Sequence, residues 1–156
     1  MTFAFGISIF KPLNFMDMTS FSIQMKFRVN ASPEEVFTLL ADPEKIALWG
    51  GGKSVLEPKV GGQFEMFDGW VKGTVIDYVP GKALSYTWRP DDFHEEWADS
   101  EVHYKLRGVG EGTEISLEHV KLPNLKETKD HETGWEDYVF GPINEFLLHH
   151  ERRVIS

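Results

Sequence analysis

Between Phe21 and Val29 the apolar residues Phe21, Ile23, Met25, Phe27 and Val29 alternate with Ser22, Gln24, Lys26 and Arg28. A period of two predicts a strand with one buried and one wet face. Ser32-Pro33-Glu34-Glu35 then carries a helix start: Ser32 can cap, Pro33 suits the first helical position, and Glu35 can reach back as a capping box. Val36, Phe37 and Leu40 supply a buried side, Asp42-Pro43 ends that helix, and a short second one carries Ile46 and Trp49 up to the break at Gly50-Gly51-Gly52. Six strand-like segments follow: Ser54 to Lys59, Gly62 to Phe67, Val71 to Val79, Ala83 to Arg89, Glu101 to Val109 and Thr113 to Val120. The stretches between them, Val60-Gly61-Gly62, Asp68-Gly69, Pro80-Gly81-Lys82 and Gly110-Glu111-Gly112, have the chemistry of tight antiparallel turns. Leu84, Tyr86 and Trp88 share a face, as do Val102, Tyr104 and Leu106, and Ile115, Leu117 and His119.

Something apolar must cover those faces, and the stretch from Lys126 to His150 is shaped to do so. Trp135, Tyr138, Val139, Ile143, Phe146, Leu147 and His150 make one continuous stripe at helical spacing, while Glu136, Asp137, Asn144, Glu145 and His149 lie opposite. The pattern predicts an α+β domain: a curved antiparallel sheet of about seven strands wrapped around one long C-terminal helix, with two short helices after the first strand. A flat stripe cannot fill the concavity of a twisted sheet, so a cavity between helix and sheet is expected. Gly141-Pro142 interrupts the stripe, and Pro142 predicts a kink near Tyr138 to Gly141. Trp135 and Tyr138 would then face the pocket mouth, with Phe146 and Leu147 clamping the far end.

Composition narrows the function. A chain of 156 residues, 41% apolar, suits one domain, here residues 20–152, between an N-terminal extension over residues 1–19 and a tail over residues 153–156. The run from Thr2 to Phe10 has the length of a signal peptide but lacks a preceding basic residue and a small-residue cleavage site. It reads instead as a strand-like arm, or as sequence upstream of a start at Met16 or Met18. The absence of Cys excludes disulfides and thiol chemistry and suits the cytoplasm, the expected location. A net charge of −9 repels phosphate backbones, so nucleic acid is not an expected partner. No apolar run reaches the roughly 20 residues needed to cross a bilayer as a helix.

Five phrases in order carry a family resemblance: Ala31-Ser32-Pro33-Glu34-Glu35-Val36-Phe37, Gly61-Gly62-Gln63-Phe64, Gly73-Thr74-Val75-Ile76-Asp77-Tyr78-Val79-Pro80, Leu84-Ser85-Tyr86-Thr87-Trp88, and His131-Glu132-Thr133-Gly134-Trp135. From about Phe21 to Glu151 the chain resembles the START-like (SRPBCC) helix-grip superfamily, in particular the group similar to the C-terminal domain of the activator of heat-shock protein 90 ATPase. The resemblance implies a helix-grip fold with a ligand cavity. Superfamily members bind lipids, sterols or aromatic metabolites, and some act as cyclases or dehydratases. The eukaryotic co-chaperone itself has a further N-terminal domain that engages the chaperone, for which this chain has no room.

Candidate cavity residues are Trp49, Phe64, Met66, Tyr86, Trp88, Tyr104, His119, Trp135, Tyr138 and Val139, within an interior that also includes Trp70 and Phe146. These aromatics suit a planar apolar ligand, and they equally suit an ordinary core. His119 continues the inward alternation of Ile115 and Leu117, where it can anchor a hydroxyl, move a proton, or sit as a satisfied core residue. Asp91, Asp92, His94, Glu95, Glu96 and Asp99 lack the spacing of a calcium loop and read as a solvated acidic loop. Gly50-Gly51-Gly52-Lys53-Ser54 lacks the first glycine of a phosphate-binding loop. No metal, cofactor or catalytic residue is assigned. The reading is therefore a small apolar or aromatic ligand bound between sheet and helix without evident catalytic machinery. Its alternatives are a stress-related accessory that stimulates a heat-shock protein 90 homologue, and a cyclase- or hydrolase-like enzyme using the cavity.

Overall fold

A computed structural model describes the backbone of residues 21–155 and the side chains of residues 21–149. The extension over residues 1–19 and the side chain of His150 lie outside the described residues. Strand β1 (Phe21–Val29) is followed by helices α1 (Pro33–Ala41) and α2 (Pro43–Trp49). A meander of β2 (Val55–Leu56), β3 (Gln63–Met66), β4 (Val71–Val79), β5 (Ala83–Pro90), β6 (Ser100–Val109) and β7 (Gly112–Leu122) comes next. The chain closes with α3 (Leu125–Gly134), a π-helical turn (Trp135–Phe140) and α4 (Gly141–Ile155). The seven strands form one antiparallel sheet in the order β1-β7-β6-β5-β4-β3-β2. This is the expected α+β architecture, with β1 returning to pair with the last strand.

Local chemistry accounts for the joints. Ser32 Oγ accepts from the amide of Glu35, and Asp42 ends α1 while its carboxylate accepts from the Glu44 amide to start α2. Strand β2 is shorter than its sequence pattern because the chain turns at Glu57: its N–H still donates to Gln63 O, but its carbonyl accepts from Lys59 N and its side chain takes the Gln63 amide in its place. Trp49, one of the candidate cavity residues, is buried and donates its indole N–H to the Leu39 carbonyl at 2.8 Å, which fastens α2 to α1.

The C-terminal helical segment departs from its expected form. The disturbance falls where the proline kink was expected, but the helix neither breaks nor remains regular: the Gly141 amide reaches back five residues to Glu136 O, in the wider π register. Widening the turn before Pro142 draws its ring away from the Tyr138 carbonyl it would otherwise strike. The extra residue also changes which side chains point inward. Trp135, Val139, Phe140, Ile143 and Leu147 are buried, whereas Tyr138 is 66% exposed. Phe140, outside the expected stripe, stacks on Phe27 of β1 with ring centroids 3.8 Å apart. The middle of the space between helix and sheet is filled by this pair and by Tyr104, whose ring meets Phe140 edge-on.

A tryptophan-walled cavity at the open end of the sheet

A cavity of about 430 Å³ lies between α3 with the π turn on one side, and the β3–β4 turn with the loop after β5 on the other. Its size falls in the range of small-molecule sites, roughly 300–1,000 Å³. The apolar walls are Phe67, Trp70, Trp88, Trp135 and Val139, with Tyr138 among the lining residues at the exposed end. Asp92, Lys126, Glu127 and Asp130 supply its polar lining, and His131 and Gly134 complete it.

The lip carrying Phe67 and Trp70 rests on an unusual turn. Phe67 and Asp68 both have positive φ, 55° and 60°, followed by Gly69 at 88°. Side chains rarely adopt this conformation unless neighbours hold it. The glycine stretch rejected as a phosphate loop does that here. Gly51 O accepts from the Phe67 amide, Lys53 O from the Asp68 amide, and Asp68 Oδ1 accepts from the Lys53 amide at 2.8 Å. Gly52 has a left-handed backbone, φ 72°, which favours glycine, and a Cβ there would sit tightly at 3.2 Å from Asp68 N and from Phe67 Cα.

Two histidines orient the indole walls. Trp88 donates its N–H to His131 Nε2 at 3.1 Å, and His131 Nδ1 donates to the Glu127 carbonyl at 2.9 Å. Trp135 donates to His119 Nδ1 at 3.1 Å. Ser100 Oγ donates to Trp88 O at 2.7 Å, so the 2.9 Å contact between Ser100 Oγ and His119 Nε2 has the histidine as donor. Every proton in this chain is assigned, and both imidazoles are neutral. Burial holds His119 well below the ordinary histidine pKa, and nearby His131 and His103 push the same way. His131 is also lowered by burial, against the opposing pull of the Glu127 carbonyl and of the Glu127, Asp92 and Asp130 carboxylates.

The candidate residues thus divide. Trp88, Trp135, Tyr138 and Val139 line this cavity. Phe64, Met66, Tyr86 and Tyr104 are packed into the core: Phe64 stacks on Tyr86 at 3.7 Å, and the Tyr86 hydroxyl donates to that of Tyr104 at 3.4 Å. Burial pushes both phenols well above their usual pKa. His119 is fully buried behind the Trp88 and Trp135 walls, a satisfied core residue that positions a lining ring. Sequence reasoning did not assign Phe67, Asp92, Lys126, Glu127, Asp130, His131 or Gly134 to the site, and Trp70 was named only among the interior aromatics. A signal existed for part of this set: Glu127, His131 and Trp135 recur every four residues, one helical face. The acidic loop contributes Asp92, while Arg89 organises the rest by donating to His94 O, Trp97 O and Asp99 Oδ1. Among the described residues no group of His, Asp and Glu is placed to hold a metal ion.

Residues 30–147 match the family model for Activator of Hsp90 ATPase homolog 1-like proteins. The chain belongs to this family. Among curated relatives, the Activator of 90 kDa heat shock protein ATPase homolog 1 of Mus musculus is 29% identical over 123 residues, which cover 79% of this chain and 36% of the mouse protein. The Homo sapiens protein of the same name gives the same identity and coverage. This family member therefore spans about a third of the length of those relatives. In solved structures the same fold appears in CalU16 of Micromonospora echinospora, at 23% identity and a TM-score of 0.74, covering 96% of this chain and 89% of that one. An HSP90 activator of Plasmodium falciparum superposes with a TM-score of 0.72 at 22% identity, covering 81% of this chain and 95% of the other. The helix-grip fold of this member of the activator family is thus shared with these structures, and no helix among its described residues is long and apolar enough to cross a membrane.

Proposed function

We propose that this family member binds a small planar aromatic ligand in the cavity beside α3. The observation that carries the reading is the cavity of about 430 Å³ walled by the indoles of Trp70, Trp88 and Trp135, with two of those rings fixed by buried histidines. Rings held in one orientation lose little freedom when a ligand stacks on them, which favours binding. Gly134 provides the test. It has helical φ and ψ, lines the cavity, and a Cβ there would touch only Tyr138 Cδ2, at 3.9 Å. Gly134→Leu should keep the fold and push a side chain into the space. Saturable quenching of tryptophan emission by planar aromatics such as polyphenols, abolished in Gly134→Leu, is the expected result. If neither polyphenols, sterols nor fatty acids bind saturably, or if Gly134→Leu binds them unchanged, the cavity is not the site.

The curated relatives favour a second reading, a co-chaperone accessory, because they are named as activators of the 90 kDa heat shock protein ATPase and align over 79% of this chain. It predicts that the purified protein raises the ATPase rate of a heat-shock protein 90 homologue. An unchanged rate at saturating protein would rule it out. The two readings have separate assays, tryptophan quenching for the cavity and ATPase stimulation for the chaperone contact.

A further inference from the structure

The walls and the rim of the cavity favour different parts of one molecule. The walls are indole faces: Trp88 and Trp135 lie 5.0 Å apart at 39°, and Trp70 stands nearly perpendicular to Trp88 at 78°. The rim is acidic, with the carboxylates of Asp92, Glu127 and Asp130 against the single ammonium of Lys126. That ammonium is held by Asp130 at 2.8 Å and also feels the Asp92 and Glu127 carboxylates, and Glu127 Oε1 lies 3.6 Å from the neutral His131 ring, so one cation faces three carboxylates and the rim stays net negative. Among the described residues the Asp92 carboxylate has no ion-pair partner, and the Arg89 guanidinium is bound to Asp99 and to the carbonyls of His94 and Trp97. His131 adds no positive charge, because it accepts from Trp88 and donates to Glu127 O in its neutral form.

Resting on the ligand-binding reading above, we infer that the cavity selects an arylalkylamine, a planar aromatic ring bearing an alkylammonium that is protonated at neutral pH, with its ring against the tryptophan walls and its ammonium at the Asp92–Glu127–Asp130 rim. Three physical effects point the same way. Indole faces carry the negative part of a quadrupole and attract cations directed over them. The rim carboxylates attract the ammonium beside a low-dielectric wall, where charge interactions are less screened than in water. The whole chain, at −9, draws in cations and repels anions. A fatty acid or an aromatic carboxylate would bring its charge against the same rim and be disfavoured, although the walls would accept its apolar part.

The test uses three probes sharing one ring: naphthylethylamine, naphthylethanol and naphthylacetate, titrated calorimetrically into the full chain at neutral pH in low and high salt. The amine should bind about tenfold tighter than the alcohol, and the carboxylate weaker than both. High salt should shrink the amine's advantage. Asp92→Asn combined with Glu127→Gln should bring amine and alcohol to within about twofold of each other by weakening the amine alone. Should the double variant also lose the alcohol, Asp92→Asn alone carries the comparison, since that side chain holds no ion pair in the fold. Equal affinities for amine and alcohol, or preference for the carboxylate, would overturn charge selection while leaving the cavity a binding site. No saturable binding by any of the three would overturn this inference, and together with no binding of polyphenols, sterols or fatty acids it would remove both readings.

Discussion

Trp135 donates its indole N–H to Nδ1 of His119 across 3.1 Å, tying the first residue of the π turn to the inward face of β7. Neither residue is exposed by more than 2%. The bond fixes the tautomer, because a ring nitrogen that accepts from Trp135 leaves Nε2 to carry the proton toward Ser100. A helix that covers a sheet by apolar contact alone can slide, whereas this one is indexed by a directional bond. The His131 bond to Trp88 makes the same connection from α3 to β5.

Stability should therefore depend on pH through the two histidines. Both are held neutral by burial, with pKa values below the ordinary 6.5 in the folded state. The unfolded chain takes up protons first as pH falls, so stability is flat above the unfolded value and drops below it, continuing to the folded values. The slope is at most ~1.4 kcal/mol per pH unit for each histidine. Chemical denaturation midpoints measured across the acid range should fall from about pH 6.5 downward, and His119→Gln should flatten part of that slope. A profile without any change between neutral pH and the onset of carboxylate titration would contradict the neutral assignment.

Replacing His119 by Phe tests its role as a positioning residue. The ring volume is largely retained, but Trp135 Nε1 and Ser100 Oγ lose a partner inside the core. Ser100 Oγ keeps its bond to Trp88 O, so only the indole N–H is left unpaired, and a loss of ~1–3 kcal/mol is expected, the usual cost of one such buried group. The tryptophan emission should broaden as Trp135 loses its fixed orientation. A variant as stable as the parent, with unchanged emission, would mean the bond holds nothing in place.

The lip of the cavity makes a separate prediction. Asp68 sits at φ 60° with its carboxylate on the Lys53 amide. Asn tolerates that backbone and keeps an acceptor, so Asp68→Asn should be nearly neutral. Asp68→Ala loses the bond and the tolerance together, and should cost about 1–2 kcal/mol. Thermal unfolding of the two variants side by side separates the backbone effect from a merely electrostatic one, in which Asn and Ala would behave alike.

Most of the fold was legible because it rests on local signals. The alternation from Phe21 to Val29, the Gly-containing turns and the Ser32 and Asp42 caps each act within a few residues, and β1 and β4 begin and end where the pattern places them. The cavity wall was less legible because its contacts are distant in sequence: Trp88 meets His131 across 43 positions and Lys53 clamps Asp68 across 15. Phe67 and Asp68 adopt left-handed backbone without being glycine, so nothing local announces where Trp70 will point. The helix stripe failed at Tyr138 and Phe140 for another reason. A period of 3.6 residues cannot describe a turn that bonds five residues back, and one inserted residue is enough to exchange the exposed and buried positions.

That π turn yields a prediction with opposite signs at two glycines of one helical run. Both have ordinary helical backbone angles, −62° and −38° at Gly134 and −59° and −53° at Gly141. Propensity alone would have Ala stabilise either site by roughly 0.8–1 kcal/mol. At Gly134 nothing opposes this, because the added Cβ would meet only Tyr138 Cδ2 at 3.9 Å. At Gly141 the Cβ would lie 2.7 Å from the carbonyl oxygen of Glu136, the same oxygen that accepts the Gly141 amide in the π bond. The clash is with backbone, which cannot turn aside like a flexible side chain, so the turn must shift toward α register. Pro142 blocks that shift by driving its ring onto the Tyr138 carbonyl. Gly134→Ala should therefore raise stability by up to about 1 kcal/mol, and Gly141→Ala should lower it by ~1–3 kcal/mol, the usual range for a destabilising substitution. Equilibrium denaturation of both variants decides the matter. If Gly141→Ala also stabilises, then the π turn is not held by the close approach of residues 136 and 141, and the inward placement of Phe140 needs another cause.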